Sequence, residues 1–339
     1  MRAGRGAHPG GLPGALRAHR GARRHGGAAA RTRSAGEFLL ELWRSAPPDV
    51  VHAHQWPSGL VALRAAAPLG LPVVQTFHAP SSSLLAEHPS ARRVIGREAT
   101  GIVATSDQEV SDLVEAGVRR SKITVVPYGV DPTRFSLAGP RDRRNLPHRI
   151  VAVGAGHPSD GVGDVIVALR GAPATELVVV GDAISGAAPW RQRLVDHARV
   201  HGVADRVRLV GCVPRSAMAS LLRSADAVVC AARTQPFGIV ALEAMACGVP
   251  VVATSVGVLA EIVVDHVTGV LVPPGSPAAL ARALRKLLTS RVRLNAYGIA
   301  GYDRVLARYS TEVLTAEVAR LYRQVITAGA GSGGARVSA

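Results

Sequence analysis

The chain has 339 residues, enough for about two domains, and 47% of them are hydrophobic. Its formal net charge is +16, and nearly all of its 40 basic residues are arginine. Aromatic residues make up only 4% of the chain and do not alternate with arginine, so the charge predicts no stacking platform for nucleic acid, and we expect no nucleic-acid partner. A basic face still leaves room for peripheral contact with anionic lipid.

The sequence also argues against membrane insertion and against a metal site. No apolar run approaches the ~20 residues needed to cross a bilayer, and no signal-peptide core lies near the amino terminus. Cys212, Cys230 and Cys247 lack metal-ligand spacing and are typical of reduced thiols. We therefore expect a cytoplasmic protein without a transmembrane segment, with metal-independent chemistry and no cofactor.

The first predicted region, residues 1–36, is a head that does not fold alone. It contains eight arginines and no acidic residue, and its apolar residues show no helical or strand period. We expect it to be disordered, with order beginning near Glu37.

Residues 37–146 are predicted to form an amino-terminal domain built on a parallel sheet. Short apolar runs alternate with helical stretches, which is typical of helices on both faces of such a sheet. The runs are residues 50–53, 72–77, 101–105 and 123–126.

After a polar linker at residues 140–147 the same alternation restarts, which predicts a second domain over residues 147–300. Its strands are expected at 150–153, 177–180, 207–210, 227–230 and 249–253, with helices that include 162–169, 190–201 and 217–223. A helix at 277–288 and a final helix at about 301–327 follow, and residues 328–339 form a tail. The fold class is therefore α/β, with two Rossmann-like doubly wound domains that face a cleft.

The segment 233–254 combines features that suit a phosphorylated sugar. Phe237 and Gly238 form a turn, a helix follows to about Ala246, and Gly248 ends it. A helix that begins at glycine presents free amides and a partial positive charge, which favour a phosphate. Glu243 lies one turn in and could reach a sugar hydroxyl. The alternative is an ordinary surface helix on which Glu243 is solvated.

This segment resembles the signature of the family-4 glycosyltransferases, the retaining enzymes of GT-B fold. In that signature Glu-Pro-Phe-Gly is followed by a second Glu eight positions after the first, and here those positions hold Gln235 and Glu243. Further matches run in order over roughly residues 37–327, and the resemblance implies that the final helix at 301–327 crosses back to the amino-terminal domain. The matches include residues 51–54, 73–78, 102–106, 125–131, 179–181, 210–214 and 268–274.

The resemblance implies transfer of a sugar from a nucleotide-diphosphate sugar to an acceptor hydroxyl on a small molecule, glycan or lipid. His78 and Gln235 are the implied catalytic positions: His78 contacts the donor sugar or presents its backbone near the anomeric carbon, and Gln235 accepts a hydrogen bond from that sugar. Without the resemblance, the favoured interpretation of His78 is a loop histidine that only makes hydrogen bonds within the protein. His52 and His54 lie on the preceding strand. We expect their side chains to point to opposite faces of the sheet, with His54 facing the cleft.

The resemblance also assigns the donor-binding positions. The amides of Phe237 and Gly238 meet the sugar, and those of Ile239 and Val240 meet the diphosphate. Glu243 accepts from the ribose hydroxyls. Val213 lies where the family packs the base.

Three features depart from the family pattern, and the first is Gln235, which lacks the charge of the Glu that it replaces and so implies a weaker hold on the donor sugar. Ala155 and Asp160 replace an Arg and a Lys that neutralise the leaving diphosphate, for which His157 or Arg170 could substitute. Gly154-Ala155-Gly156 also lacks the third glycine of a dinucleotide fingerprint, so no nicotinamide site is predicted.

The third departure is at the amino terminus, where the first strand and Gly-Gly loop of the family are missing. Either the coding frame is truncated or misread, or the amino-terminal half is degraded, and the composition of residues 1–36 favours a shifted reading frame. The prediction is a weakened enzyme; the alternative is a non-catalytic nucleotide-binding or partner-subunit relative.

Overall fold

The computed structural model describes residues 28–78, 89–154, 157–181, 187–234 and 237–333. Within these residues the chain forms two α/β units, one after the other, and each unit is built on a parallel sheet.

The amino-terminal unit contains a four-stranded sheet with the order β1-β2-β3-β4. Its elements in chain order are α1 (Ala28–Ser45), β1 (Val51–His54), α2 (Trp56–Ala66), β2 (Val73–Thr76), α3 (Pro89–Glu98), β3 (Gly101–Ala104), α4 (Asp107–Glu115) and β4 (Ile123–Val125). Every residue of β2 and β3 is buried, as expected for parallel strands covered on both faces. The Ser106 hydroxyl accepts a hydrogen bond from the amide of Glu109 and so fixes the start of α4.

The predicted boundary of the head at Gly36 is wrong. Helix α1 begins at Ala28 and includes residues 28–36 of the predicted head, while residues 1–27 lie outside the described residues. Alanine and arginine are good helix formers, and α1 packs against α2, so tertiary contact completes a helix whose first turns lack an apolar period.

The carboxy-terminal unit contains a six-stranded parallel sheet with the order β10-β9-β8-β5-β6-β7. Its elements up to the last strand are β5 (His148–Val153), α5 (Val162–Ala168), β6 (Thr175–Val180), α6 (Ala187–Val200), β7 (Val207–Gly211), α7 (Arg215–Arg223), β8 (Ala227–Cys230), α8 (Ile239–Ala246), β9 (Val251–Thr254), α9 (Val258–Ile262) and β10 (Gly269–Val272). The chain builds outward from β5 in one direction and from β8 in the other. The neighbouring strands β5 and β8 therefore flank the topological switch point, where open α/β sheets bind their ligands.

Three helices follow β10 in the described part of the chain. The first has the predicted bounds, 277–288, whereas two helices take the place of the predicted single helix at 301–327. The three helices are α10 (Pro277–Leu288), α11 (Arg291–Arg308) and α12 (Thr311–Gly333). The helices α11 and α12 are separated near Tyr309, where the backbone pairs with Val130 in the segment that connects the two units. The amide of Val130 donates to the Tyr309 carbonyl at 2.9 Å, and the amide of Thr311 donates to the Val130 carbonyl at 3.1 Å. Helix α12 also extends into the predicted tail.

Helix α12 returns to the amino-terminal unit. Leu321 and Val325 pack with Val74, Val103 and Val126 on one face of the first sheet, where the resemblance placed the last helix. The two units also meet through Glu261 on α9, whose carboxylate accepts from the amides of Asp107 at 3.2 Å and Gln108 at 3.3 Å.

Candidate functional site

The two loops predicted to bind the donor leave adjacent strands at the switch point of the second sheet. One follows β5 and the other follows β8, and they are joined by a hydrogen bond of 2.7 Å from the Arg233 amide to the Ser159 carbonyl. Of the predicted site residues in these loops, Ala155 and Gln235 lie outside the described residues.

The turn at Phe237 and Gly238 opens helix α8. Gly238 has φ 72° and ψ 0°, a left-handed conformation, and a Cβ atom there would lie 2.4 Å from Cδ1 of Ile262. The first helical hydrogen bond runs from Leu242 to the Gly238 carbonyl, so the amides of Ile239 and Val240 come before the helical ladder. Of the two turn residues, Phe237 is 46% exposed, whereas Gly238 is buried against Ile262 and Val258.

Glu243 lies one turn into α8 and is only 3% exposed. Burial raises the pKa of its carboxyl group, and the charges of Arg215 and Arg134 lower it. Arg215 Nη2 lies 2.8 Å from Glu243 Oε1, but without hydrogen-bond geometry, so this oxygen has no hydrogen-bond partner among the described residues. The carboxylate is thus paired with a cation at ion-pair distance and keeps unused acceptor capacity, since a carboxylate offers about four lone-pair sites.

Val213 lies just before α7 and packs at the edge of the core of the second unit. Two residues on, Arg215 begins α7; its side chain is 63% exposed, and its guanidinium lies 5.8 Å from the centre of the Phe135 ring. We did not predict a role for Arg215. No local spacing pointed to it, because Arg215 meets Glu243 only through the packing of α7 against α8.

Asp160 does not face a cation in its loop. Its Oδ2 accepts from the His157 amide at 3.0 Å, and the His157 ring bonds the Ser159 hydroxyl, so both residues stabilise a short 3-10 turn. Arg170 lies beyond the far end of α5 and is too remote to replace the missing cations, so that suggestion is wrong. The arginine that does reach this loop is Arg233, which forms a bidentate ion pair with Asp164 at 2.7 and 3.1 Å.

From the amino-terminal unit, His78 reaches the same region through Tyr128. The His78 Nδ1 atom lies 2.8 Å from the Tyr128 hydroxyl, and the Tyr128 ring meets Phe237 edge to face with centroids 5.5 Å apart. The structure thus brings His78 and the Phe237–Gly238 turn to one interdomain cleft, with Tyr128 between them.

The expectation that His52 and His54 point to opposite faces is wrong. Their rings stack with centroids 4.4 Å apart, because residues two apart on a strand share a face. His54 is exposed, and its Nδ1 lies 2.7 Å from His78 Nε2. His52 instead bonds Tyr322 of α12 and Thr76, at 2.7 and 2.8 Å. Parallel strand ends meet at one sheet edge, so the pairing of His54 with His78 was open to prediction.

The part of the chain that the structure describes has neither a metal-binding cluster nor a membrane-spanning helix. It contains no group of three or more histidine, cysteine, aspartate or glutamate side chains placed to hold a metal ion. None of its helices has both the length and the apolar character needed to cross a membrane.

Family models match both units of the chain. The model described as Glycosyltransferase Family 4 matches residues 5–134, and the one described as Glycosyl transferases group 1 matches residues 141–304. The first match includes most of the segment that composition set apart as a head.

Named relatives and solved structures agree with these matches. Glycogen synthase of Mycobacterium tuberculosis strain H37Rv is 32% identical over 295 residues, covering 82% of this chain and 69% of the relative. D-inositol 3-phosphate glycosyltransferase of Xylanimonas cellulosilytica is 35% identical over 320 residues, covering 86% and 76%. Sucrose-phosphate synthase of Thermosynechococcus elongatus superposes with a TM-score of 0.76 at 25% identity, covering 88% of this chain and 79% of that one.

A further structure, Anabaena HepE in complex with UDP, shares the fold at 22% identity with a TM-score of 0.74, covering 88% of this chain and 82% of that one. Two parallel-sheet units with these neighbours define a transferase of GT-B fold. The chain belongs to the group 1 glycosyltransferases of glycosyltransferase family 4.

Proposed function

We propose that this chain transfers a sugar from a nucleotide-diphosphate sugar to an acceptor hydroxyl, with retention of configuration at the anomeric carbon. The acceptor class is a small molecule, a glycan or a lipid. The reaction is metal-independent and cytoplasmic in this proposal, and its rate is lower than that of relatives with the full set of phosphate-binding cations.

One observation carries the proposal: Glu243 is buried one turn inside a helix that begins at the switch point of the second sheet. A carboxylate is costly to bury, and this one keeps an oxygen without a hydrogen-bond donor. Ribose hydroxyls would supply the missing donors, and each such charge-assisted bond is worth about 1.5–3 kcal/mol.

The start of α8 supports the position of the diphosphate. The amides of Ile239 and Val240 precede the helical ladder, and the helix dipole adds partial positive charge at the same end. These groups favour the charge that develops on the leaving diphosphate. In the mechanism that the resemblance implies, this diphosphate takes the acceptor proton on the same face, so the protein supplies mainly positioning and electrostatics.

A second candidate is a non-catalytic relative that binds a nucleotide or serves as a partner subunit. The placement of Asp160 favours it, because this carboxylate caps its own turn in the loop where the family carries a cation. An anion there opposes the growth of negative charge on the leaving group. The Asp160 carboxylate therefore destabilises the transition state of transfer more than it weakens the contacts with the ribose, so nucleotide binding can persist without sugar transfer.

The experiment measures nucleotide release from UDP- and GDP-sugars and nucleotide binding by calorimetry. It compares the natural chain with Glu243→Ala and with Glu312→Ala, an exposed position on α12 that serves as the control. We expect Glu243→Ala to weaken nucleotide binding about ten- to hundredfold, as loss of about 1.5–3 kcal/mol, the value of one charge-assisted bond, predicts. Glu312→Ala should stay within about twofold.

Three outcomes separate the candidates. Release by the natural chain that is lost in Glu243→Ala supports the transferase. Binding that depends on Glu243 without any release supports the non-catalytic relative. If neither UDP nor GDP binds, or if both variants bind equally well, both candidates are contradicted.

A further inference from the structure

The imidazole of His78 is held from both sides by protein groups. Its Nε2 lies 2.7 Å from His54 Nδ1, and its Nδ1 lies 2.8 Å from the Tyr128 hydroxyl. The His54 and His78 rings are nearly coplanar, with an angle of 20° between their planes and centroids 4.9 Å apart. That arrangement is the in-plane geometry of a hydrogen bond between two ring nitrogens.

Both hydrogen-bonding positions of the ring are therefore used inside the protein. A neutral imidazole has one N–H donor and one acceptor lone pair, and here one faces His54 and the other faces Tyr128. Burial, followed by the neighbouring His54, lowers the pKa of His78, which favours this neutral form. The side chain then has no free nitrogen with which to bind a substrate hydroxyl.

The two partners differ in what they contribute. Burial raises the pKa of Tyr128 to about 12, with the Glu109 charge as a lesser cause, so its hydroxyl stays protonated and can donate to His78 Nδ1. His54 is exposed and rests on the His52 ring, which is itself fixed by Tyr322 and Thr76. His78 is thus bonded directly by His54 and by Tyr128, whose ring meets Phe237, whereas Tyr322 bonds only His52 and makes no direct contact with the His78 ring nitrogens.

The backbone at His78 is unusual too. Its φ is 55°, a left-handed conformation that few non-glycine residues adopt and that costs of order 1–3 kcal/mol unless its surroundings hold it. It follows strand β2 at the carboxyl end of the sheet, at the edge of the cleft. The side-chain clamp supplies the restraint that this conformation requires.

We propose that Tyr128 and His54 are positioning residues that hold His78 by its two ring nitrogens, so that His78 meets the donor sugar through its backbone. This inference rests on the proposed function for its substrate, but the clamp itself does not depend on activity. Tyr128 also contacts both sides of the cleft, because its hydroxyl bonds His78 and its ring meets Phe237 of the turn.

The test uses Tyr128→Phe, which removes the hydroxyl and keeps the ring against Phe237. Tyr322→Phe is the matched control, because it removes a tyrosine hydroxyl bonded to His52 and leaves both contacts of His78 intact. We expect Tyr128→Phe and His54→Ala each to lower kcat for nucleotide release about tenfold or more, as a displaced positioning group does. UDP affinity should change less than about twofold in each, and the double variant should be no worse than the stronger single one, since both act on His78.

Nitrogen-15 NMR of the His78 ring gives a readout that does not need turnover. In the natural chain both ring nitrogens should show hydrogen-bonded shifts, and in Tyr128→Phe the Nδ1 signal should move while Tyr322→Phe leaves it in place. Unchanged His78 signals in Tyr128→Phe would overturn the proposal, as would equal losses of kcat in Tyr128→Phe and Tyr322→Phe. If the natural chain releases no nucleotide, the proposed function fails, and the NMR comparison alone decides whether the clamp exists.

Discussion

At the scale of single residues, the ion pair between Glu243 and Arg215 is asymmetric. The carboxylate is buried, whereas the guanidinium is 63% exposed and stays hydrated. Arg215 therefore contributes little to stability as an exposed partner. Its effect on Glu243 is electrostatic: it lowers a carboxyl pKa that burial raises, and so it favours the ionised form that accepts hydrogen bonds.

Nucleotide affinity should consequently depend on pH through Glu243. As pH falls through its raised pKa, the carboxylate becomes protonated and loses the charge-assisted bonds, so UDP affinity should decrease at a pH above the ordinary range for glutamate. Arg215→Ala removes a group that lowers this pKa, so the midpoint should move to higher pH. Calorimetry from pH 8 to pH 5 measures it, and the ratio of variant to natural affinity cancels the titration of UDP itself.

The control for this prediction is Arg293→Ala, which removes an exposed arginine on α11 and should leave the midpoint unchanged. A midpoint that stays in place in Arg215→Ala, or that moves down, contradicts the electrostatic role assigned to Arg215.

How far the candidate site could be predicted differs from residue to residue. One short segment contains Phe237, Gly238 and Glu243. Helix geometry alone fixes their relative positions, so these positions can be predicted from the sequence. Arg215 meets Glu243 only because α7 and α8 pack together, a long-range contact that no local spacing encodes. The pairing of His54 with His78 was missed through an incorrect assignment of strand faces.

At the scale of elements, helices α8 and α11 pack unusually closely where α11 carries glycine. A Cβ atom at Gly298 would lie 2.2 Å from the carbonyl oxygen of Gly248, which is backbone and cannot move aside. One turn further on, a Cβ atom at Gly301 would lie 3.3 Å from Cγ of Met245, a flexible side chain. Two glycines on the same helix thus meet different obstacles.

Alanine substitutions at these two positions should have opposite consequences. Gly298→Ala should lower the free energy of unfolding by about 1–3 kcal/mol, because the helices must separate. Gly301→Ala should be nearly neutral or stabilising, since alanine in a helix gains up to about 1 kcal/mol over glycine. Urea unfolding followed by circular dichroism measures both, and an equal loss in the two variants would show that the contact with Gly248 is not the cause.

The elements themselves were predicted unevenly, for a physical reason. Buried parallel strands such as β2, β3 and β6 are short apolar runs between polar loops, so the sequence identifies them directly. The start of α1 and the break before α12 depend on packing against other elements. In particular, the break at Tyr309 exists because the linker residue Val130 pairs with it, and that partner is distant in sequence.

At the scale of the whole molecule, the chain passes between the units twice, and the two passages are paired side by side through Val130 and Tyr309. Close to them, residues of both units line a cavity of about 540 Å³ that includes Glu261 and Glu317. Glu261 accepts from the first two amides of α4 across the boundary between the units. A carboxylate at a helix amino terminus is favoured by the helix dipole, so this contact stabilises the observed arrangement.

Glu261→Gln should loosen that arrangement. A terminal charge of this kind contributes about 0.3–1 kcal/mol, so the population with separated units should rise about two- to fivefold. Single-molecule energy transfer between dyes on the two units measures it, and the difference between natural chain and variant should shrink in high salt. Glu317→Gln is the matched control, since Glu317 lines the same cavity but pairs with Arg320 on its own helix. Equal loosening in both variants would contradict the role of Glu261.

Helix α12 also determines when the protein can finish folding. The surface of the first sheet formed by Val74, Val103 and Val126 is covered by Leu321 and Val325, which lie roughly 200 residues further along the chain than Val126. At about 5–20 residues per second, translation of the intervening chain takes on the order of 10–40 s. During that interval the amino-terminal unit, although synthesised first, keeps an apolar face bare, and it reaches its native state only after the unit made second has emerged.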